Sequence, residues 1–273
     1  MRFRAPLTAV LVLVLAACAG GNASPVPSIS CCDPTVPAVE LTIYAAASLK
    51  GALDAAKTGY EAADESITLV ISTDSSAALE TKIEQGAPAD VFLSADTTNP
   101  QKLIDGGFAS GAAVTFAGNK LTVIVPTDNP AGIATPADLA KAGLKIIGAG
   151  DEVPITKYAK RLVANLARES GYPAGFEAAY TANVASKEEN VKAVVAKIEL
   201  GEGDAGIVYV TDAKASTKVK AIDVPATANV PATYAGVVVK TSPNQAAASA
   251  FLAWFAGPDG QAILGQFGFL QPS

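Results

Sequence analysis

Histidine is absent from all 273 residues. That one gap removes the Ser-His-Asp and Cys-His nucleophile arrangements and nearly every zinc site. A serine nucleophile would need lysine as its base, yet neither a Ser-x-x-Lys spacing nor a Gly-x-Ser-x-Gly elbow occurs. No GxxxxGK[ST] loop is present to cradle a nucleotide. Charge is scarce, at 17% of residues with a formal balance of −6, so no excess of Lys and Arg is available to neutralise phosphates. Nucleic acid is therefore not the expected partner. Half of the residues are hydrophobic, too many for a disordered chain. These gaps point to a folded binding protein, with a secreted hydrolase a distant third reading.

Long apolar runs are also missing. Leu7–Ala17 is apolar but falls short of the roughly 20 residues that span a bilayer, and it follows Arg2 and Arg4. The run ends in Leu15-Ala16-Ala17-Cys18 and small residues, which resembles a bacterial lipobox. Residues 1–17 read as a signal peptide, Cys18 as the lipidated new N-terminus, and residues 18–38, with Pro25, Pro27, Pro34 and Pro37, as a flexible linker. An ordinary cleaved signal is the alternative. Cleavage removes two arginines and no acid, moving the charge from −6 to −8. Only two other cysteines exist, Cys31 and Cys32, both in the linker; a bond between neighbours would be strained. The expected address is extracytoplasmic, anchored to the cell membrane by lipid.

From Val39 onward β-rich runs alternate with helical patterns, the mark of an α/β protein. Strands are expected at Leu41–Ala46, Thr68–Ile71, Val91–Leu93 and Leu121–Val125. The pattern restarts with strands at Leu144–Ile147, Gly206–Val210 and Tyr234–Val239. Helical stripes run through Leu49–Tyr60, Leu79–Ile83, Ile155–Leu166 and Val191–Ile198, and a closing helix is expected over Ala246–Leu264. Two α/β units result, with Tyr234–Val239 and the last helix returning to the first.

Four helices open on a small or polar residue directly after a strand or loop: at Ser48, at Ser75-Ser76, at Pro154-Ile155-Thr156, and at Asn190-Val191. Free N–H groups and the positive end of the helix dipole make each a candidate anion site. Any one of them alone is usually a simple N-cap. Together they are informative only if they face one cleft.

Five strings occur in order: Ala45-Ala46-Ala47-Ser48-Leu49, Ser75-Ser76-x-x-Leu79, Gly86 through Asp96 (GAPADVFLSAD), Val153-Pro154-x-x-x-Tyr158-Ala159, and Gly206-Ile207-Val208-Tyr209. From about Glu40 to Phe269 the chain resembles the periplasmic molybdate-binding proteins of bacterial ABC importers. The resemblance implies a two-lobed type 2 binding-protein fold, each lobe a mostly parallel sheet flanked by helices. It implies lobe 1 from 39–122 plus 225–273, lobe 2 from 123–224, and two crossover hinge strands near Leu121–Val125 and Ile222–Val224. It further implies that molybdate, or tungstate, is held by Ser48 and Ser76 through hydroxyl and backbone N–H, by the backbone N–H groups of Ile155 and Val191, and by the Tyr209 hydroxyl. The expected partners are a small oxyanion and an ABC permease, the expected state a monomer, with no cofactor, no bare metal ion and no enzymatic activity.

Fully deprotonated molybdate has acceptors only, so a pocket of donors suits it without any lysine or arginine. The family's Val-Pro-Ala-Gly-x-Tyr-Ala reads Ile155-Thr156-Lys157 in its middle here, which makes Thr156 a further candidate ligand. Asp74, beside Ser75, is expected to point away or to cap its helix. Ser186-x-x-Glu189 is an alternative capping box for the helix through Val191. Asp90 and Asp96 read as strand-end capping groups, and Tyr60, Tyr158 and Tyr180 as core. The rival ligand is another tetrahedral oxyanion, sulfate or phosphate. Phosphate carries a proton and needs an acceptor, which a pocket containing Asp74 would supply.

Overall fold

The computed structural model describes residues 38–272. The expected signal segment, Cys18, and the linker through residue 37 with Cys31 and Cys32 lie outside them. Val39–Ala46 forms β1, and a single 3-10 turn, Ala47–Leu49, leads into α1 (Lys50–Ala63). Ala52, Leu53, Ala56 and Tyr60 are the buried stripe of α1, at the spacing that the sequence shows. The alternation continues through β2 (Ile67–Asp74), α2 (Ser76–Glu84), β3 (Val91–Ser94) and α3 (Thr98–Asp105). Next come β4 (Ala109–Asn119) and, after Lys120 alone, β5 (Leu121–Pro126).

The second series comprises β6 (Ile146–Ala149), α4 (Pro154–Leu166), α5 (Phe176–Asn183), β7 (Val184–Glu188) and α6 (Val191–Glu199). It ends with β8 (Ala205–Tyr209), a short α7 (Val210–Lys214) and β9 (Val219–Ile222). The chain closes with β10 (Ala232–Val239), α8 (Gln245–Ala256) and α9 (Pro258–Gln266).

Two five-stranded sheets result, in the orders β2-β1-β3-β10-β4 and β7-β6-β8-β5-β9, within one compact unit. β1 runs parallel to β2 and β3, as β6 does to β7 and β8. β10 and β5 run antiparallel to both of their neighbours. In each sheet four strands therefore point the same way and one, β10 or β5, opposes them, which is the mostly parallel arrangement that the resemblance implies. The reason is connectivity: β5 and β10 are the strands by which the chain arrives from the other sheet, and they enter against the direction of the local βα units.

The passages between the sheets are Lys120 and residues 223–231, which flank the expected hinge segments. Leu121–Pro126 is instead wholly a strand of the second sheet, its first two residues already paired with Tyr209 and Val208. Asn229 ties the passages together, accepting from Leu121 N at 3.0 Å and donating to Leu121 O at 2.8 Å.

The expected closing helix is corrected, and four elements absent from the sequence reading are added. β4, with Gly111 at φ 76°, Gly118 and many alanines, carries little β-signal; it is an edge strand recruited by pairing with β10. Val184–Glu188 is likewise an edge strand that pairs with β6, where a capping box was the alternative. α3 and α5 are added helices. The expected closing helix is two helices, because Pro258 starts a new one after extended Gly257. Gly260 permits that break: a Cβ there would meet the Phe255 carbonyl oxygen at 2.0 Å. α8 packs on α1 through Phe251 and Trp254, whose rings lie 5.1 and 4.9 Å from that of Tyr60. Each such pair adds roughly 0.5–1.5 kcal/mol beyond area burial.

Candidate anion-binding site

In each sheet the first parallel strands end at the same edge, and the helix that follows each strand begins there. The four openings expected from sequence therefore meet. A tight cleft of about 10 Å³, partly open to solvent, is lined by Ala46, Ala47 and Ser48 after β1, by Asp74, Ser75 and Ser76 after β2, and by Ala95 after β3. From the second sheet come Val153, Pro154 and Ile155 after β6, Asn190 and Val191 after β7, and Tyr209 at the end of β8. Clefts beyond the carboxyl ends of parallel strands are where α/β proteins bind ligands. It is far smaller than the ~300–1,000 Å³ of pockets for drug-sized molecules, so in this conformation it has room only for a small, compact ligand.

Ser48 and Ser76 are buried, and both hydroxyls are oriented by neighbours. Ser76 Oγ accepts from Ala95 N at 3.0 Å, which leaves its own proton free to point into the cleft. Ser48 Oγ lies 2.9 Å from Tyr234 Oη, and Tyr234 Oη also lies 3.4 Å from Asn119 Nδ2. Asn119 Nδ2 can only donate, so a chain running Asn119 to Tyr234 to Ser48 delivers donors in one direction and again frees the Ser48 proton. Asn119 Nδ2 also donates to Thr211 Oγ1 at 2.8 Å, anchoring this chain on the second sheet's side. Ser75 has a different task. Its Oγ accepts from Ala78 N at 3.2 Å and caps α2.

Ile155 and Val191 offer main chain rather than side chain. Each is in the first turn of its helix, where N–H groups have no carbonyl one turn back. Pro154 occupies the first position of α4, so Ile155 carries the first free N–H of that helix. α6 starts at Asn190, whose Oδ1 accepts from Ala193 N at 3.1 Å; Val191 is thus the first residue of the helix with its N–H unspent.

Tyr209 is 1% exposed, and its hydroxyl has no hydrogen-bond partner among the described residues. A buried donor left unpaired costs about 1–3 kcal/mol, which marks a place built for an absent acceptor. Burial first, then the neighbouring Tyr234, Tyr158, Asp212 and Asp96, raise its pKa well above the ordinary 10, so the phenol stays a neutral donor. Behind Tyr209, Lys192 of α6 pairs with the fully buried Asp212 of α7 at 2.9 Å. Burial raises the Asp212 pKa, and Lys192 opposes that shift.

No lysine or arginine lines the cleft. Its one formal charge is Asp74, which takes the second of its two expected placements: it lines the cleft and is engaged locally at the start of α2. Its Oδ1 accepts from Ser75 N at 2.8 Å, and its Oδ2 lies 3.2 Å from Lys82 Nζ. Thr156 stands apart from the cleft. Its hydroxyl donates to Ala149 O at 2.9 Å, and it lines a separate cavity of about 330 Å³ in the second sheet's half, behind Ile155. Asp90 and Asp96 cap as expected. Asp90 accepts from Thr42 N at 2.7 Å, and Asp96 accepts from Asn99 N at 3.0 Å. Among the described residues no group of His, Cys, Asp and Glu is placed to hold a metal ion. Tyr234 and Asn119 had no local signal; only the return of β10 beside β3 and β4 brings them behind Ser48.

The family model for bacterial extracellular solute-binding proteins matches residues 41–270. The chain belongs to that family. The molybdate-binding protein ModA of Mycobacterium tuberculosis is 32% identical over 97% of this chain and 96% of its own length. A Bacillus subtilis protein named as a substrate-binding lipoprotein of an ABC transporter, YvgL, is 30% identical over 85% of this chain and 86% of its own. In structure, the periplasmic molybdate-binding protein of Azotobacter vinelandii superposes with a TM-score of 0.73 at 25% identity, covering 85% of this chain and all of that one. The resemblance read from the five strings thus holds, and so does the two-lobed binding-protein fold. This family member is an extracytoplasmic solute-binding protein, not an enzyme.

Proposed function

We propose that the cleft captures molybdate, and tungstate with it, for delivery to an ABC permease. The observation that carries this reading is the donor set. Two oriented serine hydroxyls, one unpartnered buried phenol and the first free N–H groups of four helices converge on one small space with no cation. An anion that has acceptors only meets there a wall of donors interrupted by one carboxylate, Asp74, which its own neighbours already engage, and helix N-termini supply the compensating potential. The ligand would touch donors from both sheets at once, so binding favours the conformation in which the lobes are together. Ile155 and Val191 act by backbone, Ser48 and Ser76 by both backbone and hydroxyl, and Tyr209 by hydroxyl.

The protein itself works as a monomer in this reading, with no cofactor. Lipid attachment at Cys18, after removal of residues 1–17, would keep it at the membrane, and the name of the B. subtilis relative supports this. Cys18→Ala would then release the protein from the membrane fraction of cells that express it, and a variant still retained there would end the anchor reading.

Isothermal titration with molybdate, tungstate, sulfate and phosphate tests the ligand. One-to-one binding of molybdate and tungstate, with sulfate weaker and phosphate weakest, is the expected result. Tight sulfate or phosphate binding with no molybdate heat would move the substrate while keeping the fold. Sulfate offers the same charge and acceptors, so its rejection would rest on cavity size. Phosphate rejection would rest on the state of Asp74.

A further inference from the structure

Asp74 poses a problem for the cleft as read above, because a carboxylate that lines the site of a dianion repels it. It also presents lone pairs, and lone pairs are what a protonated oxyanion such as hydrogen phosphate requires. Three donors are already in place around it. Ser75 N (2.8 Å) and Lys82 Nζ (3.2 Å) come from its own side of the cleft. The third comes from across the cleft: Asn190 Nδ2 lies 3.4 Å from Asp74 Oδ1. Asn190 cannot turn its oxygen that way instead, because Oδ1 is held by Ala193 N at 3.1 Å as the N-cap of α6. Capping fixes the amide's orientation, and the amide's nitrogen then faces Asp74.

We propose that Asn190 is a specificity-determining residue: its side-chain amide engages Asp74 Oδ1 beside the Ser75 N–H, so that this oxygen's lone pairs are taken and not offered to a ligand. This inference rests on reading the cleft as a site for a fully deprotonated tetrahedral oxyanion. With the amide in place, Asp74 is compensated and a dianion is tolerated beside it. Without it, the same carboxylate becomes the hydrogen-bond acceptor that admits hydrogen phosphate. The contact also joins the two halves of the molecule, so it forms only when the lobes are together. The discrimination is therefore made on closing. A site that fails to satisfy its own buried polar groups with the wrong ligand discriminates far more sharply than one that relies on size.

Asn190→Ser separates the two tasks of this residue. Serine ranks with asparagine as an N-cap, so α6 and the Val191 N–H stay in place while the amide is withdrawn. Titration of the purified protein with molybdate and with inorganic phosphate gives the readout. Molybdate affinity should fall roughly tenfold, about the worth of one charge-assisted hydrogen bond, while phosphate affinity rises. The molybdate-to-phosphate ratio should therefore drop by more than the molybdate loss alone. Adding Asp74→Ala to Asn190→Ser removes the acceptor and should restore phosphate rejection. A merely structural role for Asn190 would weaken both anions together and leave their ratio unchanged, and that result would overturn the inference. So would a double variant as permissive to phosphate as Asn190→Ser alone. Wild-type protein that takes phosphate as well as molybdate would keep the anion site and end the masking role. A second arm stands apart from the identity of the ligand: in protein saturated with whichever of the tested oxyanions binds, so that the lobes are together, the ¹⁵N side-chain amide resonance of Asn190 should move on Asp74→Ala. An unmoved resonance would remove the contact whatever the cleft binds. A moved resonance in a protein that binds no molybdate would retain the contact and discard the ligand.

Discussion

The two sheets face the cleft with equivalent edges but do not supply the same chemistry. The first sheet's half contributes Ser48 and Ser76, hydroxyls whose lone pairs are engaged by Tyr234 and by the Ala95 N–H, so that each proton is left for a ligand. The second sheet's half contributes Ile155 and Val191, whose side chains are apolar and buried and whose useful groups are main-chain N–H, together with a phenol that nothing holds. One half is built from side chains set by their neighbours. The other is built from helix geometry and one unsatisfied donor. Substitutions should therefore act differently on the two halves, and that difference can be broken or sharpened by experiment.

The largest effect is expected in the first half. Ser76→Ala removes a hydroxyl aimed at the anion, worth about 1.5–3 kcal/mol of binding for a hydrogen bond to a charged group, or roughly 10- to 150-fold. It also strips the buried Ala95 N–H of its partner, at a cost of about 1–3 kcal/mol of stability. Affinity and melting temperature should thus fall together. An affinity within threefold of wild type in titration would remove Ser76 from the site.

Tyr209→Phe should match that loss of affinity and differ in sign on stability. The phenol has no partner to lose, so the anion-free protein should melt at the same temperature or higher, while binding weakens by about 1.5–3 kcal/mol. Weaker binding with unchanged or raised melting temperature is the signature of a donor kept vacant for a ligand. A variant that loses stability and keeps its affinity would show the hydroxyl to be structural.

These contrasts also explain what could be read from the chain before its fold. Serines, a tyrosine and a proline that opens a helix are legible because the side chain announces the role. The convergence of four helix openings is legible only through the family resemblance and not from spacing, since it depends on β1, β2, β6 and β7 ending at facing edges, a property of sheet order. β4 escaped because Ala109–Asn119 has the small residues of a loop and becomes a strand only by pairing with β10. Tyr234 and Asn119 are separated by 115 residues in sequence, so no local pattern links them behind Ser48. Thr156 was attractive because it follows Ile155, but α4 turns its hydroxyl onto Ala149 O. Helix and strand periodicity survived well wherever one face is buried, as along α1, α4 and α6.

Smaller effects should come from the main-chain donors. Ile155→Val keeps the N–H and trims one methylene from a buried side chain, so about 0.5–1.5 kcal/mol of stability is lost. Affinity should change by less than threefold, because the group that meets the anion is unaltered. A loss as large as that of Ser76→Ala would mean that the isoleucine side chain, not its backbone, shapes the cleft, and the division between the two halves would collapse.

The smallest expected effect is none at all, and it concerns pH. The cleft holds no histidine, and its phenol at Tyr209, like Tyr234 behind Ser48, has a pKa raised well above 10, chiefly by burial. For a phenol a raised pKa extends the neutral, donating form upward, so deprotonation cannot begin to remove the donor until pH exceeds the ordinary value of about 10. Molybdate affinity measured from pH 6 to 9 should therefore be flat in both halves of the site. A decline across that window would place a titrating group against the anion.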